Sequence, residues 1–529
     1  SVASRGLGDV YKRQVLPRVT AVARPARVPL SAAQSRMWFI NRFDPTSASY
    51  NIPLVLRLRG TLDLEALAAA VGDVVERHEV LRTIYPDDGD GPVQHIVDAA
   101  QARDEVDWGI AFHRDGLIAS ATTGFDVTRE LPIRGRVLRV ADDEHELALT
   151  VHHIAFDGGS VPVLVGDLLA AYLHRTSPAV PAQAPLSVQY ADYALWQQAA
   201  LGSVHDPSSP IGSQMDYWRT QLAALPIVTD LPRDRPRPSV RDSDAGVVRL
   251  TVDDALATRI EAFARDHEVT GFMVLHAALA IMVSREAATG DVVIGTPITG
   301  RTDSALADLV GMFVNTLVLR TEVDPGRTVE DFLASVRTTD LDAFAHADVN
   351  FEDLIDELSP ARSTAFEPLV QIAFTHVSGD VDPRAEMEAA GLVAEPLDIA
   401  APTAKFDLTV GVADRRADSP MTAEFIYASA LFDEPTVRGF ADRWLTVLEA
   451  MVANPRVAVG DIDLAVDDDT VVSLGVRSRN SLGTNGVAAD GGVSMPRVLV
   501  DILDDRVIDP DRPALVCGDH QLTYDEFEK

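Results

Sequence analysis

The chain predicts a mixed α/β (α+β) fold, and three observations carry that expectation. Runs with period-two alternation and runs with helical periodicity interleave along the whole sequence. Apolar residues make up 47% and charged residues 24% of the 529 positions, an ordinary globular composition that excludes wholesale disorder. The length exceeds what one hydrophobic core fills, and two lobes of about 200–250 residues each fit a duplicated architecture.

From Pro29 the pattern becomes globular. Leu30–Phe43 predicts a short helix with Ser31 as its N-cap. Ile52–Arg59 alternates and predicts a half-buried strand. Leu64–Val80 places Leu64, Leu67, Ala68, Val71, Val74 and Val75 at helical spacing. Arg82–Tyr85, Pro132–Val140 and Glu146–His152 predict strands, and a helix follows over Ser160–Leu173. The second half repeats the logic. Strands are expected at Val247–Val252, Asp291–Thr296, Asn315–Thr321, Leu369–His376, Lys405–Ala413 and Thr422–Ser429. Helices are expected at Ala255–His267, Gly271–Arg285, Val329–Ala345, Phe351–Glu357 and Pro435–Ala453.

Three segments have linker composition: Gly202–Ser213, Leu231–Asp244 and Asp467–Ser494. The expected organisation is therefore a tail over 1–27, a front lobe over 28–201, a back lobe over 214–465, a linker over 466–494 and a C-terminal segment over 495–529. The chain lacks an initiator Met and stops inside a helix-like stretch, Tyr524–Lys529. Both ends are those expected of a piece of a longer protein.

Charge and cysteine usage narrow the function classes. Lys plus Arg number 46 against 80 Asp plus Glu, a formal net charge of -34. A nucleic-acid binder more often carries the opposite sign, and anionic lipid is repelled. The single Cys, Cys517, forms no internal disulfide, which favours a reducing compartment; it reads as a small core residue rather than a nucleophile. No apolar run reaches the ~18 residues of a membrane helix, and no signal-peptide pattern opens the chain. Lysine occurs only at 12, 405 and 529.

The most informative segment is His152-His153-Ile154-Ala155-Phe156-Asp157-Gly158, which follows an apolar strand and precedes a helix. A neutral imidazole accepts a proton near physiological pH. Adjacent strand residues point to opposite faces, so one His is expected to face a cleft while the other packs inward. Asp157 either orients an imidazole or locks the turn through an Arg. Gly158 and Gly159 permit left-handed backbone and close approach of a substrate. The rival reading is a chance His pair ending a strand, with Asp157 as a helix cap; the heptapeptide alone leaves both open. A zinc site lacks ligands at metal spacing, and no metal is expected. There is no Gly-x-Ser-x-Gly elbow, phosphate-cradling loop or dinucleotide fingerprint.

The heptapeptide resembles the His-His-x-x-x-Asp-Gly motif of condensation domains in nonribosomal peptide synthetases, shared with other acyltransferases of the chloramphenicol acetyltransferase superfamily. Further segments resemble that family's motifs in the family's order. They are Leu30–Ile40, Arg77–Thr83, Tyr190–Gln197, Tyr217-Trp218 with Leu231–Pro238, Ile294–Arg301, Gly311–Arg320, His346–Leu358 and Pro368–Phe374. The resemblance covers about residues 28–465. Met495–Lys529 is similar to the opening of an adenylation domain, through Asp511–Leu515 and Leu522–Phe527.

The resemblance implies two chloramphenicol acetyltransferase-like lobes forming a V-shaped pseudo-dimer, with the active site between them. It implies peptide-bond formation: the amine of an aminoacyl group on a downstream peptidyl carrier protein attacks an acyl thioester on an upstream one. No cofactor is bound directly; substrates arrive on the carriers' 4'-phosphopantetheine arms. The implied partners are those two carriers and an adjacent adenylation domain, with no nucleic acid and no membrane, in the bacterial cytoplasm. Such synthetases make secondary metabolites, antibiotics among them. His153 is implied at the chemistry, as base or as positioner of the amine, with His152 packed inward and Gly158 beside the substrate. Asp157 is implied to pair with Arg301 as a brace for the turn. Asn315 is implied as a hydrogen-bond donor in the tunnel or a strand-end cap, and Arg82 as structural support. Gly159 stands where the family often has Trp or Val, and Asn350 where it commonly has Pro. The alternatives are a catalytically silent condensation-like recruitment domain and an epimerisation domain. The intact heptapeptide argues against the first and the adenylation-like start against the second.

Overall fold

A computed structural model describes residues 16–177, 179–358, 363–377, 391–397, 403–416, 419–464, 513–517 and 520–523. Ser1–Val466 forms one unit and Asp467–Lys529 another. The expected linker over 466–494 lies outside the described residues, as does most of 495–529, where Pro513–Cys517 and His520–Thr523 pair as an antiparallel hairpin.

The first unit opens with α1 (Ala32–Phe43). Ser31 caps it by accepting from Gln34 N at 3.1 Å while the Gln34 side chain accepts from Ser31 N, which satisfies donors that a helix start leaves orphaned. Strand β1 (Asn51–Arg59) follows, then α2 (Leu64–Arg77), which buries Leu67, Ala70, Val71, Val74 and Val75 along one face. The sequence pattern ran to Val80, but the helix stops at Arg77. His78 turns away because its imidazole meets Asp167 at 2.7 Å, and Glu79–Arg82 tighten into a 3₁₀ turn. After the short pair β2 (Thr83–Ile84) and β3 (His95–Ile96) come α3 (Ala99–Glu105), β4 (Asp107–Ala111) and α4 (Arg114–Thr122). Local periodicity gives no signal for α3, β4 or α4, which are too short to sustain a period. Next are β5 (Ile133–Ala141), β6 (Glu144–His152), α5 (Val161–Thr176), α6 (Tyr190–Leu201) and α7 (Pro210–Gln221).

Helix α7 begins inside Gly202–Ser213, one of the linker-like stretches. Its Ser and Pro are cap chemistry: Ser209 Oγ accepts from Gly212 N at 3.0 Å and Pro210 occupies the first turn. Leu231–Asp244 is irregular but fixed. Leu231 is buried and Arg237 forms an ion pair with Asp407.

The back half contributes β7 (Ala245–Thr251), α8 (Asp254–Asp266), α9 (Gly271–Glu286), β8 (Asp291–Ile298), β9 (Asn315–Glu322), α10 (Val329–Ala345) and α11 (Phe351–Leu358). It ends with β10 (Ile372–Val377), β11 (Val393–Pro396), β12 (Leu408–Ala413), β13 (Thr422–Ala428) and α12 (Glu434–Ala453). One sheet runs β11-β1-β6-β5-β4, with only β4–β5 parallel; the other runs β7-β13-β12-β10-β8-β9, with β12–β10 and β10–β8 parallel.

Each sheet carries its own core, and the two cores are not two sequence halves. The first core includes Leu306, Leu309, Val310, Met312 and Phe313 from the β8–β9 connection, and Leu392 and Ala394 at β11. Strand β11 adds to the free edge of β1, with Leu58 opposite Ala394. Four residues that pair with a strand more than 300 positions earlier give no local signal. The second core is organised by α9, buried all round from Phe272 to Val283 and apolar there except for His276, with α12 against it. No single helix among the described residues is long and apolar enough to cross a membrane; α8 and α9 pass together but are bent by 106°.

Trp444 is fully buried on α12, edge-on to Phe425 with centroids 5.9 Å apart. Trp444→Ala leaves a large void and should cost about 3–5 kcal/mol. Denaturant unfolding should show a lower midpoint than the native chain.

Candidate active site

Strand β6 delivers the His pair. His152 ends the strand opposite Asn51, is 2% exposed, and lies edge-on to Phe125 at 5.9 Å. Its Nδ1 accepts from Ile154 N at 3.1 Å. Burial, helped by the neighbouring His153 and Arg134, pulls its pKa down to about 3, so it is a neutral wedge rather than a proton carrier. His153 opens a 3₁₀ turn and is only partly buried. Its backbone N donates to Tyr50 O at 2.8 Å, while its buried ring Nδ1 has no hydrogen-bond partner among the described residues. Burial lowers its pKa, opposed by its own carbonyl and by Asp157 and reinforced by Lys405. A neutral imidazole suited to accepting a proton results.

Asp157 does not orient that imidazole, because both its oxygens serve other donors. Oδ1 accepts from Ser160 N at 2.9 Å, Ser160 Oγ at 2.8 Å and Arg301 Nη2 at 3.1 Å. Oδ2 accepts from Phe313 N at 2.8 Å and Val314 N at 3.0 Å. Asp157 is 1% exposed. Arg301 also donates to the Leu306 and Leu309 carbonyls, at 3.0 and 2.8 Å, and its guanidinium lies 4.2 Å from the Phe313 ring centre. The connection from Arg301 to Val314 is thus stitched onto the heptapeptide turn.

The glycines differ from the sequence expectation. Neither Gly158 nor Gly159 is among the glycines with positive φ, so left-handed backbone is not their reason. Gly158 is exposed, and a Cβ there would meet nothing within 4 Å. A Cβ on Gly159 would come 3.2 Å from Arg301 Nε, so the missing side chain lets the guanidinium lie over the turn.

Asn315 and Arg82 belong to neighbouring supports. Asn315 Nδ2 donates to the Ala347 and Val349 carbonyls at 3.0 and 2.7 Å, and its Oδ1 accepts from Phe351 N at 3.0 Å. Its amide donors are committed to the loop before α11, which removes them as donors to a substrate. Arg82 donates to the Val97 carbonyl and sits 3.8 Å from Glu79, fastening the turn after α2.

Several residues that hold the turn were not singled out from sequence. Ser160 Oγ accepts from Gly311 N at 3.0 Å. Tyr190 OH donates to Met312 O at 2.6 Å and meets Ser31 Oγ at 2.9 Å. His78 Nδ1 accepts from Val310 N at 3.3 Å. Gln34 Nε2 reaches the Ile154 carbonyl at 3.5 Å. Ser31, Gln34, His78 and Tyr190 stand inside recognised motifs, but only the fold shows that they meet. A cleft of about 430 Å³ between residues 183–188 and 304–309 is lined by none of the heptapeptide.

The condensation-domain family model matches residues 26–471. The chain belongs to the condensation-domain family. It is 40% identical over 511 residues to the probable non-canonical nonribosomal peptide synthetase CymA of Salinispora arenicola, covering 95% of this chain and 6% of that protein. It is 37% identical over 521 residues to the isonitrile lipopeptide synthase of Mycobacterium tuberculosis, covering 97% of this chain and 20% of that one. The chain therefore spans a fifth or less of these relatives. Among solved structures it resembles the X-domain in its complex with OxyB from teicoplanin biosynthesis, at a TM-score of 0.75 and 33% identity over 86% of this chain and 99% of that one. A four-domain nonribosomal peptide synthetase bound to AMP and glycine superposes at a TM-score of 0.73 and 21% identity, over 96% of this chain and 38% of that one, which supports the fold. The two sheets with their helices are thus the chloramphenicol acetyltransferase-like architecture of condensation domains. Condensation domains of nonribosomal peptide synthetases form peptide bonds by acyl transfer, within multidomain enzymes that also contain carrier and adenylation domains.

In this condensation domain Arg301→Ala leaves the buried Asp157 carboxylate without its cation. The loss should be about 3–5 kcal/mol. The melting temperature should fall, and an unchanged value would remove Arg301 as a brace. His152 adds a pH effect. Its folded pKa lies below the ordinary 6.5, so its contribution is full above about 6.5 and fades as pH falls toward 3. A melting curve series from pH 7 to 4 should be shallower in His152→Asn than in the native chain.

Proposed function

We propose that this domain joins an acyl group on an upstream carrier to the amine of an aminoacyl group on a downstream carrier. The part-exposed, neutral His153, held on a turn that Asp157, Ser160 and Arg301 brace, carries the reading. The amine nitrogen attacks the thioester carbonyl, the C–N bond forms, the C–S bond breaks, and the upstream arm leaves as a thiol. His153 takes the amine proton, or holds the amine while the proton passes to the departing sulfur. A thioester is already activated, so placing two tethered reactants supplies as much as proton transfer does. His152 and the Asp157–Arg301 pair act by fixing the turn, and Gly158 leaves room for a substrate beside it.

The implied substrates are carried on phosphopantetheine arms, which makes two peptidyl carriers the partners. Residues 495–529 are proposed as the opening of an adenylation domain. In support, similarity to the synthetases above runs over 95–97% of the chain, beyond the span of the family match. The likeness to the X-domain favours recruitment as a second reading; the intact heptapeptide favours catalysis.

The test uses donor and acceptor carriers loaded with aminoacyl panels in both stereochemistries, read by intact-protein mass spectrometry. His153→Ala should lower condensation by about 10²–10⁴-fold while the melting temperature holds. Native-like turnover in that variant would remove His153 from the chemistry, whereas no turnover by the native chain with any loaded pair would leave the recruitment reading standing. Because the His153 pKa is lowered, the acid limb of kcat/KM for the native domain should lie below 6.5.

A further inference from the structure

The sequence assigns residues 1–27 to a tail, yet the described part of that segment is fixed to the body of the domain. Residues 16–27 have no helix or strand of their own. Leu16 packs against the second core, whereas Val19 is 3% exposed within the first. The Pro17 carbonyl accepts from Trp196 Nε1 at 2.6 Å. Val22 N donates to Asp192 Oδ1 at 3.2 Å, and Arg24 meets Asp192 and Glu79, each at 3.1 Å. Gln94 N donates to the Val28 carbonyl at 2.9 Å. The segment is a strap that passes from one core to the other and is pinned along its length.

One anchor of the strap leads to the active-site turn. Val19 N donates to Asp303 Oδ2 at 3.0 Å. The other carboxylate oxygen, Oδ1, accepts from Ala305 N at 2.9 Å, and the Asp303 carbonyl accepts from Leu306 N at 3.0 Å. Asp303 therefore caps the 3₁₀ turn Ser304–Leu306. The Leu306 carbonyl accepts from Arg301 Nη1 at 3.0 Å. Arg301 Nη2 in turn reaches Asp157 Oδ1 at 3.1 Å and Ser160 Oγ at 2.7 Å. An unbroken series of contacts joins Val19 to the carboxylate that fixes the turn of His153. Leu306 and Leu309 belong to the first core, but Ser304, Ala305 and Asp308 border the open cleft, so packing supports this stretch from one side only. Hydrogen bonds within a 3₁₀ turn are also poorer than those of an α-helix. The place of the Leu306 carbonyl, and with it the Arg301 guanidinium, thus depends on the Asp303 carboxylate. A carboxylate suits the position because it offers two acceptor oxygens, one for the cap and one for the strap.

We propose that Asp303 is a positioning residue for acyl transfer, tying the strap of residues 16–28 to the Arg301 brace and so fixing the place of His153. The inference rests on the acyl-transfer reading. Asp303 acts through Arg301 and Asp157 rather than on the substrate. When the brace shifts, His153 presents its imidazole off the line of the attacking amine, and a misplacement of about 1 Å costs on the order of 10²-fold in rate. The loss falls on kcat rather than KM, because what moves is the group at the reacting centre.

The experiment compares the full chain with Asp303→Ala and Asp303→Ser, each also in a His153→Ala background. Single-turnover rates are followed against acceptor-carrier concentration, with a carrier-loaded pair that the native chain condenses. Asp303→Ala, which loses cap and strap together, should be slower by about 10- to 100-fold at saturation, with a half-saturating concentration close to native. Asp303→Ser keeps a cap oxygen but is too short to hold Val19 N as well, so its rate should fall between Ala and native. In the His153→Ala background, Asp303→Ala should lower the residual rate by less than about threefold, because residues that act as one unit are not additive. A purely structural role would give the same fold loss in both backgrounds. If Asp303→Ala melts below the assay temperature, Asp303→Ser carries the same comparison. An Ala or Ser variant within twofold of native, or an equal fold loss with and without His153, overturns the assignment while the acyl-transfer reading stands. Failure of the native chain with every loaded pair overturns that reading, and this inference with it.

Discussion

The carboxylate of Asp157 is the constraint on which the site depends. It is buried, so it must be satisfied within the protein. Its partners come from two regions more than 140 residues apart: Ser160 just beyond the turn, and Arg301, Phe313 and Val314 at the ends of the β8–β9 connection. Satisfying one side chain therefore draws a back-half segment into the first core, where Leu306, Leu309, Val310, Met312 and Phe313 bury their apolar surface. The hydrophobic contacts and the charge reinforce one another. The apolar residues keep water from competing for the carboxylate, and the carboxylate fixes the register in which they dock.

That arrangement explains why two adjacent histidines behave differently. His152 faces the core beside Phe125 and serves only as a neutral acceptor for Ile154 N. His153 is one residue further, where the strand has become a 3₁₀ turn, and its ring remains partly exposed. The alternation of strand side chains separates them, and the turn fixed by Asp157 preserves the separation. Ile154, Ala155 and Phe156 between them are all buried, so the turn has little freedom to rotate His153 inward.

Much of this was legible in the sequence. The strand ending at His152 and the helix near Ser160 were readable from periodicity, and the mixed class follows from their alternation. The partnership of Asp157 with Arg301 came only from the family resemblance, since nothing local connects positions 157 and 301. What stayed hidden has a common physical origin. Strand β11 is four residues whose pairing lies with β1. The stop of α2 at Arg77 is imposed by Asp167 and Val310, both remote in sequence. Ser209 and Pro210 looked like linker chemistry because residues that cap helices also populate loops. Asn315 shows the converse: its motif was legible, but only the fold shows that its amide is committed to the Ala347 and Val349 carbonyls.

The two halves are joined at the site by two kinds of contact. The Asp157–Arg301 contact is buried and closely paired, so it fixes geometry. The Arg36–Glu352 pair is more exposed, with about a quarter of each side chain accessible, and water weakens it. Changes in spacing between the lobes would meet less resistance at the second contact than at the first. One seam is thus rigid and the other yielding. The division of labour follows from burial alone: the same guanidinium–carboxylate chemistry fixes one wall and leaves the other adjustable.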